Sequence, residues 1–446
     1  HLRMCSISCV KKREQTGIMA QTRKTRSEET STARATPKAP TKRVLKREAL
    51  LAHATSLFNL RGIAATSLAD IAGAAGLTRA ALYYYVDDRA ELVFQCYLRA
   101  CEQTAEDLAL ASQAADDGLG QVLAFVASAT APERPPTAVL SEINYLSGAH
   151  RELIETANRR NAERLTEMVE RGTRDGSIRL CDARVAAQSI LGMLAWAQLS
   201  PHWVRSPKGK GFRVRTADAL LDLLKNGIAK QVRNTPPCPI DAASFLPGRF
   251  NAFDKREAAE MKTAQLVITA SQIFNRDGIE ATSLDDVSAA LGATKGIVYH
   301  YMQDKTDLVV RCYERGFDLF EDFAKAARKH GANGLERAMI GVHLNSQAQA
   351  GELSPLMPQP GLDSLPSPHR EALTKRANAL RGQFAAFLRQ GVADGSCRPC
   401  DVPVLAQVGA GAFGRLPKWI TPEDANHPRR FGDEIVSLFT LGLKAS

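Results

Sequence analysis

Two stretches 216 positions apart carry the side chains best suited to grip a phosphate or read a base edge. The first holds Thr78, Arg79, Ala80, Tyr83, Tyr84 and Tyr85. The second holds Thr294, Lys295, Gly296, Tyr299, His300 and Tyr301. Thr and Tyr hydroxyls donate to phosphate oxygens, and an Arg or Lys head can reach guanine in a major groove. The plainer reading is a polar helix face with one tyrosine packed inward. Thr66, Ser67, Thr282 and Ser283 sit just upstream. A helix opening there would offer free N–H groups and partial positive charge to an anion, although capping alone accounts for them equally well. Arg89 and Lys305 begin the next helix, where phosphate contact is again expected.

Other chemistry is hard to place. Cys397-Arg398-Pro399-Cys400 is the one Cys-x-x-Cys in the chain, and no second pair accompanies it, so neither a structural zinc site nor a redox domain is expected. Cys96 and Cys312 occupy equivalent positions and read as small helix-core residues. The sequence offers no nucleophile motif, phosphate-binding glycine loop or metal-ligand spacing. The expectation is therefore no enzyme, no cofactor and no metal.

The elements that must hold these residues are helices. Leu50, Ala54, Leu57 and Phe58 form one apolar stripe, as do Leu266, Ala270, Ile273 and Phe274. Gly62 and Gly278 end those helices. Ser67-Leu68-Ala69-Asp70 and Ser283-Leu284-Asp285-Asp286 have the form of capping boxes. They open short helices carrying Ile71 or Val287 and Ala74 or Ala290, or their neighbours. Gly76 and Gly292 supply a turn, Thr78 and Thr294 cap a third helix, and Asp88 and Asp304 cap a long fourth one. A short helix, a glycine turn and a second short helix make a helix-turn-helix, whose second helix fits a major groove.

The unit is written twice. Lys46–Tyr97 lies over Lys262–Tyr313 without a gap, and 22 of the 52 positions are identical. A weaker match with a shift of 219 pairs His150-Arg151-Glu152 with His369-Arg370-Glu371, Asp175-Gly176-Ser177 with Asp394-Gly395-Ser396, and Gly192 with Gly411. Proline-rich Asn234–Pro239 and Leu246-Pro247-Gly248 separate the copies, so 231–254 reads as a linker. Residues 1–44 hold eleven Lys or Arg against three Glu and lack apolar periodicity, so a disordered basic tail is expected there. That tail carries most of the net charge of +10, and the remainder is close to neutral. Bulk charge thus says little about a polyanionic partner. The apolar run Ile190–Leu199 is too short to span a bilayer, and the segment after Met4 has no signal-peptide core, so a cytoplasmic protein without a membrane partner is expected. Met4 and Met19 are both possible starts.

At these residues the sequence resembles the TetR family of bacterial repressors. The match runs through Thr66-Ser67-Leu68-Ala69-Asp70-Ile71-Ala72, Gly76 to Tyr85, and Arg89 with Leu92. It recurs through Thr282-Ser283, Gly292 to Tyr301, and Lys305 with Leu308. Val86 and Met302 stand where the family usually has Phe. The resemblance implies an all-α fold of two tandem units, each a helix-turn-helix head on a helical ligand-binding and dimerising body. The heads fall at 45–92 and 255–308, and the bodies at 93–230 and 309–446. Ala186, Ile190, Leu191, Leu194 and Ala195 in the first body, and Val402, Leu405, Val408, Phe413, Ile435, Leu438 and Phe439 in the second, would pair as a pseudo-dimer within one chain, with pairing between chains left open. Met193, Trp196, Trp203, Phe384, Phe387, Phe413 and Trp419, with His202, are candidates for an effector pocket. The Pro-rich stretch Leu353–Pro368 reads as a loop near a pocket mouth. The function implied is a ligand-responsive, sequence-specific regulator in a bacterial cytoplasm, associated with the nucleoid. It would take double-stranded operator DNA and a small-molecule effector as partners, and read two unlike half-sites. The competing reading is a nonspecific DNA-packaging protein.

Overall fold

Gly62 and Gly278 set the first turn of each repeat. Their φ angles are +79° and +98°, a region that favours glycine, and they stop helices α1 (Lys42–Arg61) and α9 (Lys255–Asp277). The computed structural model describes residues 42–204, 210–231, 235–248 and 254–445. The basic tail, up to residue 41, lies outside the described residues. Its last three positions, Lys42–Val44, belong to α1.

In each head a second and third helix follow: α2 (Leu68–Ala74) and α3 (Arg79–Leu82), then α10 (Leu284–Ala290) and α11 (Lys295–Tyr301). Both capping boxes form, with Ser67 paired to Asp70 and Ser283 to Asp286. Ile71, Val287, Leu82 and Val298 are completely buried. Beside them Ala72 and Ser288 are buried, while Ala74 and Ala290 are exposed. A seven-residue helix makes about two turns, so only its central residues can face the core. Val86 and Met302 fill the buried site beneath the third helix. Helix α3 is a single turn, so Tyr83–Tyr85 leave it as a turn, whereas α11 runs on to Tyr301.

The first body comprises α4 (Arg89–Ala114), α5 (Gly118–Ala129), α6 (Gly148–Asp175), α7 (Ala183–Trp203) and α8 (Lys210–Asn226). The second comprises α12 (Lys305–His330), α13 (Gly334–Ala350), α14 (Ser367–Asp394), α15 (Val402–Val408), α16 (Gly411–Gly414) and α17 (Pro428–Leu441). The repeated Asp-Gly-Ser does the same job in both. Asp175 accepts from the Gly118 N–H at 2.8 Å and Ser177 Oγ from the Leu119 N–H at 3.1 Å. Asp394 and Ser396 do so for Gly334 and Leu335 at 2.8 and 3.2 Å. These satisfy the free amides that open α5 and α13. The counterpart of α7 is broken into α15, α16 and a 3-10 turn at Leu416–Lys418. Gly409 and Gly414 are poor helix formers, and Pro417 has no N–H to donate.

The two bodies pack on each other through α7, α8, α15, α16 and α17. The contacts are reciprocal. Gly192 and Gly411, equivalent in the repeat, meet backbone to backbone: a Cβ on Gly192 would lie 2.1 Å from the Gly411 carbonyl oxygen, and one on Gly411 2.5 Å from that of Gly192. Arg179 Nε donates to the Gly442 carbonyl at 2.7 Å, and its counterpart Arg398 Nε donates to the Gly227 carbonyl at 2.5 Å. Isolated bridges join Ile178 with Lys444 and Ala229 with Cys397. Equivalent residues exchanging equivalent contacts is the pattern of an approximate twofold.

The segment 231–254 connects the two units. Its described part is held down. Cys238 and Ala242 are buried, Arg429 donates to the Cys238 and Ile240 carbonyls, and Phe245 meets Phe323 edge-on. Prolines limit its conformations, while its apolar side chains seat it on the second body. Among the described residues no helix is long and apolar enough to cross a membrane.

Candidate nucleic-acid interface

The third helix of each head presents its expected residues outward. Thr78, Arg79, Ala80, Tyr83 and Tyr84 are exposed, as are Thr294, Lys295, Gly296, Tyr299 and His300. Tyr84 is 67% exposed and Tyr299 49%, so neither is a core tyrosine. Tyr85 and Tyr301 are half-buried. Thr78 accepts from the Ala81 N–H at 3.1 Å, while Thr294 makes no side-chain cap. Arg79 reaches the Tyr83 hydroxyl at 3.3 Å, leaving further guanidinium donors for a partner.

One residue escaped the sequence reading. Arg43, assigned to the tail, lies on α1 with its guanidinium 4.9 Å from the Tyr84 ring centre, and so adds a cation beside the first face. Ile297 is 45% exposed on α11 and offers an apolar contact of the kind that reads a thymine methyl.

Thr66 and Thr282 require correction. Both are buried and donate to the Gly62 and Gly278 carbonyls at 2.7 Å, so their hydroxyls cannot meet a phosphate. Ser67 and Ser283 are exposed but bound to Asp70 and Asp286. Those hydrogen bonds hold both carboxyls below the ordinary Asp value. Arg89 is half-buried and donates to the Ala64 carbonyl at 3.0 Å; Lys305 is also half-buried, with the Glu280 carbonyl 3.5 Å away. Both stitch the fourth helix to the preceding turn. The two faces also differ electrostatically. Lys295 pairs with Asp285 at 2.8 Å, and Ala69 occupies that place in the first head.

Profile comparison decides the assignment. The family "Bacterial regulatory proteins, tetR family" matches residues 50–96 and 266–312, and "Tetracyclin repressor-like, C-terminal domain" matches 112–228 and 337–443. The chain belongs to the TetR family. TetR regulators are DNA-binding transcription factors rather than enzymes. Among relatives, the HTH-type transcriptional regulator TtgR of Pseudomonas putida is 42% identical over 71 residues, 16% of this chain and 33% of that protein. The regulator AcrR of Shigella flexneri is 34% identical over 60 residues, 14% of this chain and 27% of AcrR. The match thus spans about a third of these relatives. Among solved structures, AibR in complex with isovaleryl coenzyme A and operator DNA is 22% identical with a TM-score of 0.33, covering 40% of this chain and 97% of AibR.

Two cavities of about 170 Å³ lie in the TetR bodies. The second is lined by Trp196, Trp203, Phe384, Phe387 and Phe413, five of the aromatic candidates. Met193 lines neither cavity and is core; Trp419 lines neither and packs edge-on against Phe431 beneath Arg184. The first cavity takes Trp196, Met357, Pro358, Gln359 and Pro360, so the proline-rich loop forms cavity wall. Cys96 and Cys312 are buried, and burial pushes each thiol up to about 12, which suits inert core residues. Cys397 is likewise pushed up to about 11.

Proposed function

We propose that this chain is a ligand-responsive TetR repressor in which one polypeptide does the work of a dimer and reads an operator with two unlike halves. The observation that carries the reading is the pair of exposed, non-identical faces, Arg79-Ala80-Ala81 with Tyr84 against Lys295-Gly296-Ile297 with His300. The reciprocal packing of the bodies supports a pseudo-dimer, because it gives the heads the fixed mutual placement that a two-site reader needs.

Each head also leans on the opposite repeat. A Cβ on Gly62 would lie 3.0 Å from Gly361 Cα, and one on Gly278 would lie 2.5 Å from Glu142 Oε2. Glu142 accepts from the Glu280 and Ala281 N–H groups, and Lys418 donates to the Ser141 and Arg276 carbonyls. Ser141 and Lys418 line the first cavity. A ligand there would bias how the second head sits, and a fit to half-sites about one turn apart would change with it. Selection of bound sequences from random DNA, followed by footprinting and a base-substitution scan, tests the reading. Two halves that differ and cannot be exchanged support it. Interchangeable halves overturn it, and steep salt dependence with no preferred sequence would favour the packaging alternative.

A further inference from the structure

The two cavities occupy related places in the repeat, yet the opposite repeat contributes a different residue to each. With the shift of 219 that pairs Gly192 with Gly411, Trp196 corresponds to Arg415 and Leu199 to Lys418. Arg415 reaches across into the first cavity and Trp196 into the second. Arg415 passes close to the Gly192–Gly411 crossing, its Cδ 3.6 Å from where a Gly192 Cβ would stand. Among the described residues its guanidinium has no hydrogen bond and no ion pair. Lys418, its cationic neighbour, already spends its donors on the Ser141 and Arg276 carbonyls. The nearby carboxylate Asp107 is engaged by Arg134 and Ser128. Arg415 is half-buried, and desolvation holds it below the ordinary guanidinium value.

A cation drawn part-way out of water with no protein partner favours an anion beside it. The rest of the wall is suited to an apolar body: Phe125, Leu191, Leu194, Trp196 and Met357, with Asn158 and Asn161 as further polar groups. The second-cavity counterparts of these asparagines are Ala377 and Leu380, and that cavity draws its polar groups from other positions, Asn345, Arg381, Gln383 and Gln407.

We propose that the first cavity binds a small organic monoanion, a carboxylate on an aromatic or aliphatic body, with its charged head on Arg415 from the opposite repeat. The cavity, about 170 Å³, suits a ligand built on a single ring or a short chain, since a hole of roughly 150 Å³ accepts benzene. Guanidinium is the side chain whose fork matches a carboxylate with two parallel hydrogen bonds. This deepens the ligand-responsive reading and rests on it.

The test uses the full chain with three acid–amide pairs as probes: benzoate and benzamide, phenylacetate and phenylacetamide, octanoate and octanamide. Calorimetric titration measures binding, and fluorescence anisotropy on a selected operator measures release. At least one acid should bind about tenfold more tightly than its amide. Arg415→Gln should erase that preference, Arg415→Lys should retain part of it, and Arg381→Gln, on the second cavity wall, should leave it intact. Ligand-free Arg415→Gln should melt no lower than the wild type, because an unpaired charge has been removed. Undiminished acid preference in Arg415→Gln overturns the proposal, and so does failure of every acid to bind. Should amides bind and release the operator while acids do not, the anion inference falls and ligand-responsiveness stands. Should acids bind through Arg415 without changing operator affinity, the inference stands and ligand-responsiveness falls.

Discussion

Gly192→Ala tests the pairing of the two bodies with one methyl group. A Cβ there would sit 2.1 Å from the Gly411 carbonyl oxygen and 3.1 Å from its carbon, where ordinary contact begins near 3.4 Å. The backbones of α7 and α16 would have to part by about 1.3 Å, since both colliding groups are main chain and neither can swing aside. Met193, Ala412 and Leu416 are buried around the crossing, so separation would open gaps in a packed region. Overpacking of this kind costs about 1–3 kcal/mol. Against it stands the gain of roughly 1 kcal/mol from replacing glycine inside a helix. The clash should cancel that gain or outweigh it, for a net loss of up to ~2 kcal/mol. Gly382→Ala is the matched control: it lies inside α14 with nothing within 4 Å of its Cβ position, and should gain up to ~1 kcal/mol. Urea unfolding of both variants at fixed protein concentration makes the comparison, with operator affinity measured alongside. Equal stabilisation of Gly192→Ala and Gly382→Ala would refute the reasoning, because the two helices could not then be in contact.

Asp285→Ala should strengthen operator binding by up to about fivefold at low salt, since it frees Lys295 from an exposed pair worth ~0.2–1 kcal/mol; unchanged affinity in a salt titration would exclude Lys295 from the interface. Ser67→Ala should lower stability by about 1 kcal/mol through loss of the α2 cap, while Thr66→Val should also destabilise, since it leaves the Gly62 carbonyl without its buried hydroxyl partner; denaturant melts read both. Lys418 carries a pH signature. Burial lowers it from 10.5 to about 8, so its contribution to stability is present above the unfolded value and is lost as pH falls through about 8. The wild type should gain relative to Lys418→Met between pH 8 and 10, by at most roughly 3 kcal/mol, and parallel stability curves for the two proteins would contradict that.

The heads were legible because their signals are local. Caps, glycine turns and the apolar stripe act within one or two turns of helix, and each was written twice, as Ser67/Ser283 and Gly76/Gly292 show. The misreadings came from interactions outside that range. Thr66 and Thr282 looked like surface hydroxyls because nothing in their neighbourhood announces a back-bond to a glycine carbonyl. Arg43 was set aside with a basic tail because charge composition masks the start of α1. The broken counterpart of α7 and the seated linker depend on tertiary burial, which Gly409, Pro417 and Cys238 hint at only once their neighbours are known. Among the large apolar residues, lining a cavity and filling a core call for the same residue types, so Trp203 and Met193 could not be separated in advance.

Fusion of two units in one chain removes a constraint that a symmetric dimer cannot escape. Across a true twofold a residue near the axis faces its own copy, so a single cation placed there brings a second and the pair repels. Here the near-axis positions have diverged: Trp196 against Arg415, Leu199 against Lys418, and Glu142 against Gly361. Glu142 and Lys418 together brace the turn of the second head, whereas glycine-to-glycine contact braces the first. Burial pushes the Glu142 carboxyl above its ordinary range even though two N–H groups and Lys418 favour its charge, so this brace is held under electrostatic cost. Glu142→Gln should therefore discriminate the heads. An amide keeps one acceptor and turns a donor toward a remaining N–H, which leaves a buried donor unsatisfied at ~1–3 kcal/mol. Half-site footprinting at limiting protein should show weaker protection of the half read by the second head, with the other half unchanged. Equal weakening of both halves would mean that the heads are coupled as one rigid reader and that the asymmetry of the brace has no functional expression.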